Sequence, residues 1–320
     1  MKKLEQIQAE IAPIRQNLEN YRLDFLKKSN NGRNLLFVPA ILAIGCFVGM
    51  YLAYNYVFVF LGLLILCALL FVWLYNNKFK APISEYHSKF KSVLLQKIVH
   101  ELKPDMEYRP AGYIDQSDFR KSLLFNNTPN EGYTGEDYFE GKISNLPIKF
   151  SEINAKHFLG KNAVNLFQGI FIIVDVDKPF YGKTFILPDL SDAWIGGIKQ
   201  NIKKDLGKLG RGQLLYLEEH PEFEKYFAIY TTDHKEAKQI LTEEMLDSIM
   251  ELRALFDTDF YMSFQNEEGF VYIAVPMPSI LRPNIRKSIS ENDTELNRMY
   301  QQLSTCFKII KKLPLNFQST

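Results

Sequence analysis

The chain is predicted to be α+β, with a two-helix transmembrane hairpin and helical extensions ahead of a mixed, mainly antiparallel sheet domain with packed helices. Three observations lead there. Leu35 to Tyr75 contains no Asp, Glu, Lys, Arg or His. Apolar stripes at helical spacing flank that stretch on both sides. After Pro104, Val-, Ile- and Phe-rich runs alternate with amphipathic segments, the pattern of strands and helices sharing one core.

A spanning helix needs about 20 mostly apolar residues. The uncharged stretch is too long for one and suits two, 35–54 and 57–75 within 34–76, parted only by Asn55 between Tyr54 and Tyr56. A turn this short makes the spans antiparallel, with tyrosines at headgroup depth. Pro39 falls near the first turn of the first span, where a missing N–H costs least. Lys27, Lys28 and Arg33 precede the hairpin, and Lys78, Lys80, Lys89 and Lys91 follow it. Basic flanks stay cytoplasmic, so both termini are expected in the cytoplasm. Gly45, Gly49 and Ala53 share one helix face, a spacing that lets helices approach closely, most simply against the second span. The alternative is a buried hairpin in a soluble core. No cleavable signal peptide is expected, because the apolar stretch starts late and runs long. Cys46, Cys67 and Cys306 show neither zinc nor disulfide spacing, which suits a reducing compartment.

Residues 1–33 carry Leu4, Ile7, Ile11, Ile14, Leu18, Tyr21 and Phe25 at steps of three and four, an amphipathic stripe. Pro13 is expected to break it, and Ser29-Asn30-Asn31-Gly32 to end it before the span. Residues 77–103 form a second amphipathic helix, opened by Pro82, with Ile83, Tyr86, Phe90, Val93, Leu94, Ile98 and Leu102 on one face and Pro104 as its stop. The two stripes should pair antiparallel, Phe25 near Ile83 and Tyr86, Ile11 nearer Ile98. The alternative lays the first helix on the lipid surface, which Glu5, Glu10, Glu19 and Asp24 disfavour.

Residues 104–320 form the cytoplasmic α+β domain, whole or as two subdomains split near 207–212. Strands are predicted at 137–144, 146–155, 164–176, 183–187, 214–217, 226–231, 260–264 and 270–275, the last two as a hairpin about Asn266-Glu267-Glu268-Gly269. Helices are predicted over 192–206, from Thr242 with Met245, Leu246, Ile249, Leu252 and Leu255 inward, and from Asp293 or Thr294 to Lys312 with Leu296, Met299, Tyr300, Leu303, Phe307 and Ile310 inward. From Pro104 on there are 25 Lys and Arg against 31 Asp and Glu, the reverse of a nucleic-acid domain.

Chemistry is sparse. His87, His100, His157, His220 and His234 show no metal spacing, and no Gly-x-Ser-x-Gly elbow occurs. Gly207-Lys208-Leu209-Gly210-Arg211-Gly212 offers amides and cations to a phosphate but lacks the Gly-Lys-Ser/Thr ending and reads as a flexible turn. Gly196-Gly197, inside the 192–206 helix, reads as close packing or a kink. Asp175 and Asp177 share strand parity and should face one side, able to bind a cation or serve acid–base work, or simply to end a strand in solvent. Glu218, Glu219, Glu222 and Glu224 around His220-Pro221 suit a basic partner or a charged loop. No catalytic, cofactor-binding or metal-binding residue and no cofactor is assigned.

Several blocks resemble a bacterial family: Gly135-Glu136-Asp137-Tyr138-Phe139-Glu140-Gly141, Ile148-Lys149-Phe150-Ser151-Glu152, Phe167-Gln168-Gly169-Ile170-Phe171, Gly182-Lys183-Thr184-Phe185-Ile186-Leu187-Pro188-Asp189 and Pro221-Glu222-Phe223-Glu224-Lys225-Tyr226-Phe227. Together they resemble the domain of unknown function numbered 3137, whose members are sometimes labelled galanin-like, over most of 112–275. The resemblance implies a membrane hairpin ahead of the domain. It brings no activity and no site residue, and a peptide-hormone role does not fit this size and architecture. The function expected is a non-enzymatic inner-membrane protein. It would touch the bilayer through 35–75 and present its domain to a protein or lipid partner. The alternative is a membrane-bound enzyme with an acidic site around Asp175 and Asp177.

Overall fold

The computed structural model describes residues 4–125, 132–159, 162–189, 210–265, 268–279, 281–289 and 294–315. By internal contacts the chain divides into two units, Met1–Leu102 with Arg282–Arg298, and Lys103–Leu281 with Met299–Thr320.

The first unit is helical. Helix α1 runs unbroken over Leu4–Leu52 with Pro13 and Pro39 inside it. The expected break at Pro13 and stop at Ser29-Asn30-Asn31-Gly32 do not occur, and Pro39 is interior rather than near a helix start. An interior proline costs about 3 kcal/mol. Near Pro13 that loss is offset by burial of Ile7, Ile11 and Leu18, worth roughly 1.5–3 kcal/mol per side chain. A single 3-10 turn, Tyr54–Tyr56, reverses the chain into α2, Val57–Tyr75. A five-residue π turn, Asn76–Lys80, carries α2 into α3, Ala81–Lys89, and a second, Phe90–Leu95, leads to α4, Gln96–Leu102. The first π turn sits just ahead of Pro82, where the helix already lacks a donor.

Helices α1 and α3–α4 pair antiparallel. Tyr21 stacks on Tyr86 at 6.4 Å, Lys89 lies 4.3 Å over the Tyr21 ring, and Lys97 reaches Glu10 at 3.7 Å. Eleven residues forward on α1, from Glu10 to Tyr21, match eleven back on the partner, from Lys97 to Tyr86. The expected stripe is modified at one end. Val93 is exposed, whereas Leu95 and Val99 are buried with Ile98 and Leu102. The extra residue of the second π turn rotates the face downstream of it. Two windows are long and apolar enough to cross a membrane, Leu35–Leu52 and one within Tyr54–Leu102, and only 11% of each is buried. Gly49 meets the Phe60 ring of α2, where a Cβ would come within 2.4 Å, while Gly45 has open space. Of the two small residues, Gly49 is the one that allows close approach.

The second unit holds one nine-stranded sheet in the order β1-β2-β3-β4-β9-β8-β5-β7-β6, antiparallel at every described pairing rather than mixed. Its strands are β1 Glu107–Arg109, β2 Gly132–Ile143, β3 Leu146–Leu159, β4 Asn162–Asp175, β5 Thr184–Pro188, β6 Gln213–Leu215, β7 Phe227–Thr231, β8 Tyr261–Gln265 and β9 Phe270–Pro276. β5, ahead of 207–212, lies between β7 and β8, which follow it, so the sheet is continuous across that stretch. Short helices α5 Gln116–Lys121, α6 Pro221–Glu224 and α7 His234–Ile240 join the longer α8 Glu243–Phe256 and α9 Thr294–Lys312. The helix expected over 192–206, with Gly196-Gly197, lies outside the described residues.

Alternation along the strands sorts the side chains. On one face Phe167, Phe171, Phe185, Tyr230 and Tyr272 form a core closed by Phe119 and Leu124 of the α5 segment. The other face presents Phe139 and Phe150, stacked at 4.4 Å, and α9 covers them through Phe307, edge-on to Phe150 at 5.9 Å. Lys312 of α9 pairs with Glu251 of α8. Thr242 caps α8, its hydroxyl accepting from the Met245 amide. Leu255 is exposed, unlike Met245, Leu246, Ile249 and Leu252.

Candidate functional site

The densest gathering of chemically capable groups is on the β2–β3 ladder. The two-residue turn Ser144-Asn145, both at positive φ, closes the hairpin with Ile143 opposite Leu146. Continued without interruption, that register would set Asp137 opposite Glu152. Instead a bulge between Glu136 and Phe139 brings Glu136 opposite Glu152 and keeps Asp137 beside them. Asp137 takes the left-handed conformation at φ 60°, which Asp tolerates better than most residues. Its amide donates to the Pro110 carbonyl at 2.9 Å.

The carboxylates of Glu136, Asp137 and Glu152 lie with an oxygen from each within 4.8 Å of one another, and Asp137 is 1% exposed. Two hydroxyls serve them. Tyr108 donates to Asp137 Oδ1 at 2.6 Å, and Ser279 donates to Glu152 Oε2 at 2.9 Å. Burial, and then the Asp137 charge, raise the Tyr108 hydroxyl far above its ordinary range, so it stays a donor. Three clustered carboxylates repel one another. They are relieved by donors, by a shared proton, or by a hard divalent cation, which takes oxygen ligands of this kind. The arrangement can therefore hold a cation or a proton.

The same corner carries an exposed charged lattice. Arg109 reaches Glu140 at 3.0 Å and Glu107 at 3.2 Å, and its guanidinium lies 4.2 Å over the Tyr138 ring.

The acidic pair proposed from sequence is not a pair. β4 ends at Asp175, and Asp177 lies beyond it at φ 49°, so strand parity does not extend to Asp177. The Asp177 amide instead donates to Asp175 Oδ1 at 3.0 Å, a local turn. Asp175 lines a cleft of about 690 Å³ with Lys103, Asp105, Glu140, Lys142 and Lys149. Two of the four glutamates near His220 serve the local fold. Glu224 accepts from the Leu217 amide at 2.5 Å, and Glu222 pairs with Lys225 at 2.5 Å.

Of the glycine-rich turn, residues 207–209 lie outside the described residues. Arg211 is turned inward, 1% exposed, with Nε and Nη2 both donating to the Leu123 carbonyl at 2.9 and 2.7 Å. Gln265 and Ser263 bind the neighbouring carbonyls of Lys121 and Ser122, so three side chains cap the C-terminus of α5. Burial lowers the Arg211 guanidinium to about 10. It is a clamp on α5, not a phosphate ligand. Among the described residues the carboxylate group on β2–β3 is the one cluster with metal-ligating geometry, and it contains no histidine. Cys306 is buried, which pushes its thiol up to about 12 and leaves it unreactive.

A family model described as Protein of unknown function (DUF3137) matches residues 165–315. This stretch belongs to the DUF3137 family. The blocks at 167–171, 182–189 and 221–227 fall inside the DUF3137 match, whereas those at 135–141 and 148–152, which carry the carboxylates, lie ahead of it. A comparison with curated proteins finds no match. Among solved structures, the crystal structure of the mycobacterial trehalose monomycolate transport factor A, TtfA, is similar at a TM-score of 0.34 and 10% identity. The similarity covers 68% of this chain and 94% of that one. A score at that level does not establish a shared fold.

The carboxylate cluster escaped the sequence because its members lie on two strands. Its signal was present: a two-residue turn at Ser144-Asn145 folds Glu136 and Asp137 back toward Glu152.

Proposed function

We propose that the chain is a non-enzymatic protein of the bacterial inner membrane, holding its sheet domain at the cytoplasmic face for a protein or lipid partner. The observation that carries this is the exposure of the apolar hairpin. Core helices of a soluble protein bury their apolar side chains. Here only 11% of each apolar window is buried, and Phe37, Ile41, Phe47, Phe58 and Ile65 all stand exposed. In water that surface is unfavourable at roughly 25 cal/mol per Å². In lipid it is matched. Tyr54 and Tyr56 at the tip, and Trp73 and Tyr75 at the opposite end, fit the two interfacial belts. Basic residues before Leu35 and after Tyr75 favour a cytoplasmic location for both ends. Anchorage would confine the domain near one surface and raise its effective concentration for partners there.

The buried carboxylates favour a second reading, a membrane-bound enzyme whose acidic centre is Glu136, Asp137 and Glu152 rather than the aspartates after β4. Alkaline extraction of membranes tests the first reading. The chain should remain with the lipid; release as a monodisperse soluble species contradicts it. Isothermal titration of the purified full-length chain with magnesium, calcium and manganese tests the second, through binding that Glu152→Gln abolishes.

A further inference from the structure

Inside the apolar hairpin, the residues held back from exposure recur on one face of each helix. They include Pro39, Ala43 and Cys46 of α1 and Phe60, Leu64 and Cys67 of α2, at steps of four and three, the spacing of a packed seam. Gly49 sets the register, since a Cβ there would meet the Phe60 ring. Further from the tip the seam brings its two cysteines together. Both are free thiols, and they hydrogen-bond to each other across it. Cys46 is 8% exposed, whereas Cys67 is partly open to the outside of the hairpin. Cys46 follows Leu35 by eleven residues, and Cys67 precedes Tyr75 by eight. At about 1.5 Å per residue these are depths of about 12–17 Å, near the middle of a hydrocarbon core about 30 Å thick.

We infer that Cys46 and Cys67 form an intramembrane redox site, which a lipid-soluble quinone oxidises to a disulfide that pins the two spans together. The inference rests on the membrane reading above. Depth selects the oxidant. Exchange with a soluble disulfide such as oxidised glutathione runs through a thiolate, and a charged group at this depth is costly. A neutral acceptor dissolved in the hydrocarbon meets no such barrier. In the step, two S–H bonds break and one S–S bond forms. The two electrons and two protons pass to the two carbonyl oxygens of the quinone, which leaves as the hydroquinone. Every reactant and product is uncharged, so nothing ionic is left in lipid. Cys67 is the thiol within reach from the lipid, and Cys46, buried in the seam, closes the bond. Closure draws the sulfurs to about 2.05 Å, a short movement for side chains already in hydrogen-bond contact.

The test uses the full-length chain in phospholipid nanodiscs, treated with a fully substituted short-chain ubiquinone. Remaining thiols are then tagged with a maleimide polymer in denaturing detergent and counted by gel shift. Three tags are expected before treatment, on Cys46, Cys67 and Cys306, and one after it. Mass spectrometry should then find Cys46 and Cys67 joined in a peptide pair two hydrogens lighter. Cys67→Ala should carry two tags both before and after treatment. Three tags after quinone, a loss of tags in Cys67→Ala, a crosslink that includes Cys306, or equal oxidation by glutathione disulfide alone overturns the redox site and leaves the membrane reading standing. A chain that never enters the nanodisc contradicts the membrane reading and the redox site with it.

Discussion

Replacing Arg22 by Met should release the segment 285–289 from α1. Arg22 and Glu19 form a bidentate pair one turn apart, Nη2 to Oε1 at 2.6 Å and Nε to Oε2 at 2.9 Å, with both side chains 6% exposed. The pair is a socket for that segment. The Ser288 hydroxyl and Ile289 amide donate to Glu19 at 3.0 and 3.2 Å, and Arg22 Nη1 donates to the Ile285 carbonyl at 3.1 Å. Arg22→Met leaves a buried carboxylate without its counter-ion, which costs about 3–5 kcal/mol. At about 1.4 kcal/mol per decade, the Ile289 amide should exchange its hydrogen roughly 100- to 4,000-fold faster. Glu19→Gln combined with Arg22→Met removes the charge but keeps an acceptor for Ser288 and Ile289, so most of the protection should return. The pH dependence has a definite sign. Burial alone would raise the Glu19 carboxyl, but Arg22, the Ile289 amide and Ser288 together hold it below 4.5. Its contribution is complete above that value and is lost as pH falls through the lower folded one. Hydrogen exchange on the full-length protein in detergent, read at Ile289 from pH 7 downward, measures both effects. Unchanged exchange in Arg22→Met, or a double variant as labile as the single one, refutes the socket.

Helix α2 carries 14 Leu, Ile, Phe and Val, so its insertion gains roughly 4–8 kcal/mol and a central Arg costs about 2.5–3.5. Leu64→Arg alone should therefore still insert α2 and keep a C-terminal reporter cytoplasmic, whereas Leu64→Arg with Leu66→Arg, costing about 5–7 kcal/mol, cancels most or all of that gain and should shift a share of the C-terminal reporter to the opposite side while Leu35–Leu52 keeps the chain in the membrane; equal behaviour of the two contradicts that balance. Tyr108→Phe removes the donor to Asp137 and should cost about 1.5–3 kcal/mol in chemical denaturation of the full-length chain. Gly212 sits at φ 88°, and a Cβ there would lie 2.0 Å from the Thr231 carbonyl oxygen, while Gly210 at φ 75° has open space around it. Gly210→Ala should then cost about 1–2 kcal/mol, the left-handed penalty alone, and Gly212→Ala distinctly more, because β6 would have to separate from β7.

What the sequence disclosed follows the strength of each local signal. The end-to-end apolar run fixes α2 at Val57–Tyr75, the bounds expected. Alternating strands came through with ends moved by one to a few residues, and the longest, β3 and β4, extend past Ala155 and ahead of Val164. Strand β1 and the helices α5, α6 and α7 were not among the expected elements; a helix of four to seven residues spans at most two turns, too few for an apolar stripe to stand out. Helix α1 ran through Pro13 because local propensity of a few kcal/mol yields to tertiary burial, and it also continues through the stop expected at 29–32. Sheet order escaped too, since β5 inserts between β8 and β7 and no periodicity records its neighbours. The carboxylate cluster depends on a bulge that no spacing rule announces, and the parity rule that paired Asp175 with Asp177 fails where the strand stops. The socket at Glu19 was hidden because its two halves lie more than 260 residues apart.

The decisive measurement is a pair of topology reporters, one fused to each end of the full-length chain in living bacteria. With two antiparallel spans and basic flanks, both should report from the cytoplasm. A periplasmic signal from either end contradicts the account.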